Sequence, residues 1–292
     1  TRYAESKTAV NWRKVASLAD DPDPRVRYQL AFALGAGDFP EKSKALAQIA
    51  LKDGGDKWIQ AALMSSAGDC VADLFQDLAA NKQTSQSATG QTFLIQLAEV
   101  IGRRNKSAEL NAIAAFLDSR VPGPLTYNLV RALSDGLIRS RSSLAKAKLE
   151  ARLTGITEHA RTTASEAQAP ESDRITAVRL LAVPESKNEA PLLMVLRGKN
   201  SDAVNLEALR SAAAHSSTTL AKAMLEAFPQ FSSRAKSEAI KALLARTDRA
   251  DLLLKAIGEG SVRISDLSAA DVQKLRAHRD SKIKALAATV LG

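Results

Sequence analysis

The chain has 292 residues and a formal charge of +9, and it is 45% hydrophobic but only 4% aromatic, with Ala and Leu filling most apolar positions. This composition favours helix, because Ala and Leu have the best helix propensities, and 14 Gly with 9 Pro are too few turn formers for many short strands. One cysteine, Cys70, excludes an internal disulfide and a cysteine-based metal site, and there is no run of 18 apolar residues to make a transmembrane helix.

In chain order, Trp12, Val15 and Leu18 come first at core spacing. Asp23-Pro24-Arg25-Val26-Arg27-Tyr28-Gln29-Leu30 then runs to Gly35, and Asp56-Lys57-Trp58-Ile59-Gln60-Ala61-Ala62-Leu63 runs to Gly68. Phe93, Leu94 and Leu97 lead to Gly102 in the same register, and Gly136 follows, so four glycines recur at intervals of 33, 34 and 34. Each opening Asp is suited to accept hydrogen bonds from the first free backbone amides, Pro24 suits a first helical position, and each glycine is expected to close its helix as a left-handed cap. Between them lie stripes for partner helices: Leu46, Ile49 and Ala50; Val71, Leu74, Phe75 and Leu78; Leu110, Ile113, Ala114 and Leu117. Each pair reads as a helical hairpin that must stack on neighbours to bury both faces.

Residues 140–169 hold almost no breaker besides Gly155 and carry Leu149, Leu153, Ile156 and Ala160 at helical spacing, which predicts one long helix ending before Pro170. Beyond it the beat shortens. Thr176-Ala177-Val178, Glu207-Ala208-Leu209 and Glu238-Ala239-Ile240 repeat at intervals of 31 and 31. Ile264 to Val272 reads as a short extended or turn segment capped by Ser268 into a helix, and Asp280-Ser281-Lys282-Ile283-Lys284 returns to the opening pattern. The expected fold is all-α, a right-handed α-α superhelix of about eight degenerate hairpins. It forms a single solenoid over 1–292, with sub-arrays 1–139 and 170–292 joined by a long helix 140–169.

The Asp-x-x-[Val/Ile]-[Arg/Gln/Lys] openings at Asp23, Asp56 and Asp280, with apolar helix positions and a closing Gly, resemble the HEAT repeat, which implies a curved solenoid used for docking. More narrowly, Tyr28 to Gly35, Ala45 to Ala50 and Trp58 to Ser66 are similar to the HEAT segment of PVC-type haem-binding proteins. In that family the segment lies between a membrane-bound dehydrogenase-like propeller region and a cytochrome c domain. The resemblance implies an exported, periplasmic location and a role in spacing redox modules. The chain holds no Cys-x-x-Cys-His, so no haem is expected on it. Its first residue is Thr1 rather than Met, and the expectation is a piece of a longer polypeptide.

No catalytic, cofactor or metal residue is expected. His159, His215 and His278 lack ligand-spaced neighbours, and neither a phosphate loop nor a nucleophile elbow is present. Gly35-Ala36-Gly37 and Asp53-Gly54-Gly55-Asp56 read as inter-helix turns. Cys70 opens a helix, a position that either lowers a thiol pKa or holds a small packing residue. The aromatics Tyr3, Tyr28, Tyr127, Trp12 and Trp58 are scattered in sequence, with Trp58 expected to face solvent or a partner. Basic residues concentrate at Arg139, Arg141, Lys146, Lys148, Arg152 and Arg161 against Glu150 and Glu158, and again at Lys274, Arg276, Arg279, Lys282 and Lys284. The second helices, with Arg25, Arg27, Lys57, Trp58, Arg103, Arg104, Arg131, Arg210 and Lys241, are the expected contact face for a protein partner or flanking domains of the same polypeptide. The alternative is a nucleic-acid-binding solenoid, glycosylase-like, using a basic concave face.

Overall fold

The computed structural model describes residues 11–184 and 186–292, and every regular element among them is helical. Tyr3 lies outside the described residues. Contacts gather the chain into two compact units, one formed by the residues up to 120 with 132–152, the other by 121–131 with 153–292. These limits differ from the sub-array boundaries expected at 139 and 170.

The first unit holds α1 (Trp12–Ala16), a 3-10 turn (Ser17–Asp20), α2 (Pro24–Ala33), α3 (Lys42–Asp53), α4 (Lys57–Ala67), α5 (Val71–Ala80), α6 (Lys82–Gln86), α7 (Ala88–Arg104) and α8 (Ser107–Asp118). Helix α9 (Pro124–Arg139) gives its residues from Ala132 to this unit and its earlier ones to the second. Helix α10 (Glu150–Ser165) enters the second unit at Leu153. There follow α11 (Glu171–Leu180), α12 (Glu189–Arg197), α13 (Asp202–Ala213), α14 (Thr218–Ala227), α15 (Ser233–Leu244), α16 (Thr247–Gly258), α17 (Ala269–Arg276) and α18 (Ser281–Val290).

Within the second unit α11, α13, α15 and α17 pack in succession as one layer, and α12, α14, α16 and α18 as the other. The first unit repeats this solenoid-like arrangement, with α2 against α4 and with α3, α5 and α8 in sequence. The predicted stripes supply the filling: Leu46, Ile49, Leu74, Phe75, Leu110, Ile113, Leu153 and Ile156 are buried, and Ala177, Ala208 and Ala239 are inaccessible. Leu18 is an exception, exposed while Ala19 takes the core place. Helix starts follow the local chemistry. Asp23 Oδ1 accepts from the Arg25 amide at 2.8 Å, Asp56 Oδ1 from Trp58 and Ile59 at 2.7 and 3.1 Å, and Asp280 Oδ1 from Lys282 and Ile283 at 2.9 and 3.3 Å. Ser268 and Asp271 form a reciprocal capping box at α17.

The glycine period means something different from a row of caps. Gly68 does end α4 with φ +41°, whereas Gly35 lies in a 3-10 turn and Gly102 and Gly136 lie inside α7 and α9. These last two face each other across a close helix crossing. A Cβ on Gly102 would stand 2.2 Å from the Leu133 carbonyl oxygen, and one on Gly136 would stand 2.1 Å from that of Glu99. Gly35 meets Ser66 in the same way, at 2.7 Å from its Oγ. Gly35, Gly102 and Gly136 therefore mark where successive second helices approach closely, whereas Gly68 has open space at its Cβ, and Asn105, with φ 52°, is the residue that closes α7.

Two further expectations are corrected. The long helix over 140–169 does not form, because the chain turns twice between α9 and α10, at Arg141 (φ 60°) and Lys148 (φ 58°). At each turn an amide reaches back five residues, Ser142 to Leu137 at 2.8 Å and Leu149 to Leu144 at 2.9 Å, which satisfies the last carbonyls as in a Schellman motif. Leu144 and Leu149, both buried, anchor these turns. Helix α18 carries the second-helix signature from Asp280 yet packs on α16, in the layer of first helices.

Candidate docking face on the second helices

The residue four places after the cap of a second helix bonds the segment before that helix, and Arg27 and Arg174 also bond the segment before the next second helix. Arg27 donates to both Asp53 oxygens at 2.5 and 2.7 Å and also to the Asp21 carbonyl. Gln60 Nε2 donates to the Gly54 carbonyl at 2.5 Å and Gln91 Nε2 to that of Ser85 at 2.8 Å. In the second unit Arg174 donates to Asn200 at 2.6 Å and to the Ala164 carbonyl. Arg27 is buried, with Asp53 raising its pKa by a hydrogen bond. It is a latch, and its expected place on a contact face is corrected.

Other expected contact residues are also engaged within the chain. Arg104 Nε binds Glu109 at 2.9 Å and its Nη2 binds Asp69 at 2.5 Å, with Lys106 on the same Asp69 oxygen at 2.8 Å. Lys106 first, then Arg104, holds the Asp69 carboxyl down at about 2. In the second unit Arg179 pairs with Glu207 at 3.1 Å, Arg210 with Glu238 at 3.3 Å, and Arg131 Nη1 donates to the Arg179 carbonyl at 3.3 Å. These bonds form a ladder from each second helix to the next. Lys241 stands where the next cation belongs, but Ala269 occupies the place of its acid, and among the described residues Lys241 has no ion pair. The first basic cluster is likewise engaged in part, through Arg139 with Glu99 at 2.6 Å and Arg152 with Asp118 at 2.5 Å.

Exposed and without an ion pair among the described residues are Arg25, Lys57 and Arg103. Two of these converge with Trp58. Helices α2 and α4, packed side by side, leave a groove of about 580 Å³ lined by Pro24, Arg25, Tyr28, Asp56, Trp58 and Ile59. Trp58 is 62% exposed and Lys57 Nζ lies 5.2 Å from its ring centroid. Tyr28 meets Phe32 edge to face at 5.2 Å, and Phe32 is 45% exposed. Tyr28 and Trp58, distant in sequence, thus line one groove.

The remaining chemistry-bearing groups have local partners. Burial pushes the Cys70 thiol up, and its Sγ donates to the Ala67 carbonyl at 2.9 Å, so the helix start does not activate it. His159 Nδ1 bonds the buried Tyr127 hydroxyl, whose pKa burial raises. His215 is buried on the Leu181 carbonyl at 2.7 Å, and His278 Nδ1 accepts from the Asp280 amide at 3.1 Å. Trp12 stacks on Phe39 with ring centroids 5.2 Å apart. Sequence reasoning passed over Glu207, Glu238, Asp69 and Asp53 as partners. The signal was present in Glu207-x-x-Arg210 and Glu238-x-x-Lys241, one beat apart.

No family model matches the chain, and no curated protein matches it. Among solved structures, human deoxyhypusine hydroxylase in complex with glycerol aligns over 96% of this chain and 94% of that chain, at 15% identity and a TM-score of 0.31.

Proposed function

We propose that the chain is a non-enzymatic scaffold of HEAT-like repeats that docks a protein, or a flanking domain of its own polypeptide, on the second-helix face. The observation that carries this reading is the groove between α2 and α4, where exposed Trp58 and half-buried Tyr28 meet Arg25 and Lys57, two cations without an ion pair among the described residues. Solvent-exposed Trp beside a cation is the composition of a contact hot spot. The finer reading, a spacer between redox modules of an exported haem protein, is supported only by the sequence resemblance of Tyr28 to Gly35 and Trp58 to Ser66.

The nucleic-acid reading is less well supported. A nucleic-acid backbone presents a charge at each nucleotide and rewards a row of available cations. Arg27, Arg104, Arg179 and Arg210 are instead held in internal ion pairs.

A photoreactive benzoylphenylalanine placed at Gln29 or Ala61, exposed on α2 and α4, is compared in the native host with one at Lys44 or Gln76 on α3 and α5. The expected result is one protein, or a segment of the same polypeptide, cross-linked from the second-helix positions alone. Adducts with nucleic acid, or equal adducts from both sets, overturn the reading.

A further inference from the structure

We infer that a cavity at the start of α7 binds a small organic acid, its carboxylate at the helix start and its short alkyl chain against residues of α3 and α5. The space is about 190 Å³, roughly six water volumes, which suits a molecule of a few carbons and is too small for a nucleotide or a stretch of peptide. All of its lining residues belong to the first unit, and none is shared with the groove between α2 and α4.

Thr84 is the residue that points to a ligand. It is only 6% exposed and lines the cavity, yet its hydroxyl has no hydrogen-bond partner among the described residues. A buried hydroxyl left unpaired costs stability, and a ligand oxygen at this place removes that cost. Local structure holds Thr84 beside the helix start. Asn81 Oδ1 accepts from the Thr84 amide at 3.2 Å, and Ser87 Oγ accepts from the Gly90 amide at 3.1 Å. A Cβ on Gly90 would stand 2.3 Å from the Thr84 carbonyl oxygen, so glycine there lets the first turn of α7 close on Thr84. Ser87 and Thr89 line the same space, and among the described residues neither hydroxyl donates to an acceptor.

Charge selects an acid. Helices α2 and α4 start on aspartate caps, whereas the 17-residue α7 is capped by the neutral Ser87 and has no acid in its first turn. The positive partial charge at its start is left for a ligand anion. No carboxylate lines the cavity, so a cation has no counterpart there, and the one charged lining residue, Lys52, is paired with Asp20 at 2.6 Å. Apolar residues complete the lining. Leu78 and Phe93 are buried, and Leu51, 43% exposed, borders the same space beside Ala50. These surfaces favour a short alkyl chain, which inorganic phosphate lacks.

The whole chain, isotope-labelled, is titrated with butyrate at neutral pH and followed by its amide NMR shifts, with butyramide, butylammonium, acetate and inorganic phosphate as comparisons. Butyrate is expected to shift the amides of Thr84, Thr89 and Gly90 with a Kd on the order of 1 mM, and each comparison to bind at least about fivefold more weakly. Thr84→Val is expected to weaken butyrate at least about fivefold while melting at or above the wild-type temperature, because the hydroxyl it removes has no partner in the protein. Thr89→Glu places a fixed carboxylate in the first turn of α7 and is expected to abolish binding while raising the melting temperature. No shift with butyrate, equal binding of butyramide or butylammonium, or unchanged affinity in Thr84→Val overturns the inference. Equal affinity for acetate or phosphate overturns it as well, since the apolar lining would then seat no chain.

Discussion

Arg25 and Arg27 are two residues apart on one helical turn, yet one is exposed and the other buried against Asp53. Charge alone put both on a contact face. Side-chain direction on the helix separates them, and that direction depends on which face the next hairpin covers. Asp69 shows what such an engaged group does for the fold. Its folded pKa, about 2, lies below the ordinary value of 3.8, so its contribution to stability is complete above the ordinary value and is lost as pH falls through the folded one. Asp69→Asn is therefore expected to melt below the wild type at neutral pH, with the difference shrinking as pH drops from 4 toward 2. Because Asp69 is solvent-exposed, the difference should also shrink in high salt. Thermal melts across that pH range check the sign, and a difference that grows on acidification contradicts it.

At the scale of the helix, local chemistry was readable and tertiary contact was not. Asp23, Asp56 and Asp280 cap helices because a side-chain oxygen two or three residues from an unpaired amide acts without help from the rest of the chain. Gly102 and Gly136 look the same in sequence whether they end a helix or lie inside one, and only the crossing of α7 and α9 decides. The turns at Arg141 and Lys148 were hidden because neither residue is a usual left-handed one. Substitution separates the two kinds of helical glycine. Gly102→Ala is expected to destabilise by about 1–3 kcal/mol, since its Cβ would press on the Leu133 carbonyl. Gly155→Ala, inside α10 with open space at its Cβ, is expected to stabilise by about 0.5–1 kcal/mol. Urea unfolding of both reads the opposite signs, and equal effects would mean that the crossing does not constrain α7.

Over the molecule, a formal charge of +9 overstates what is available to a partner. Repetition itself consumes part of it, because a cation and an acid placed once per 31 residues meet across neighbouring helices, as Arg179 with Glu207 and Arg210 with Glu238 do. The layered helical stacking was legible from the beat of apolar residues, whereas this division of the cations needed coordinates. Exposed pairs of this kind add little to stability individually, about 0–1 kcal/mol each. Their greater effect is to leave few second-helix cations, Arg25 and Lys57 among them, open to binding. The yield of partner cross-linked from benzoylphenylalanine at Gln29, compared between Arg25→Ala/Lys57→Ala and Arg179→Ala/Arg210→Ala, tests this division most directly. The prediction is an approximately tenfold loss of cross-linked product for the first pair and less than about twofold for the second. Equal losses, or a larger loss from the ladder pair, would contradict it.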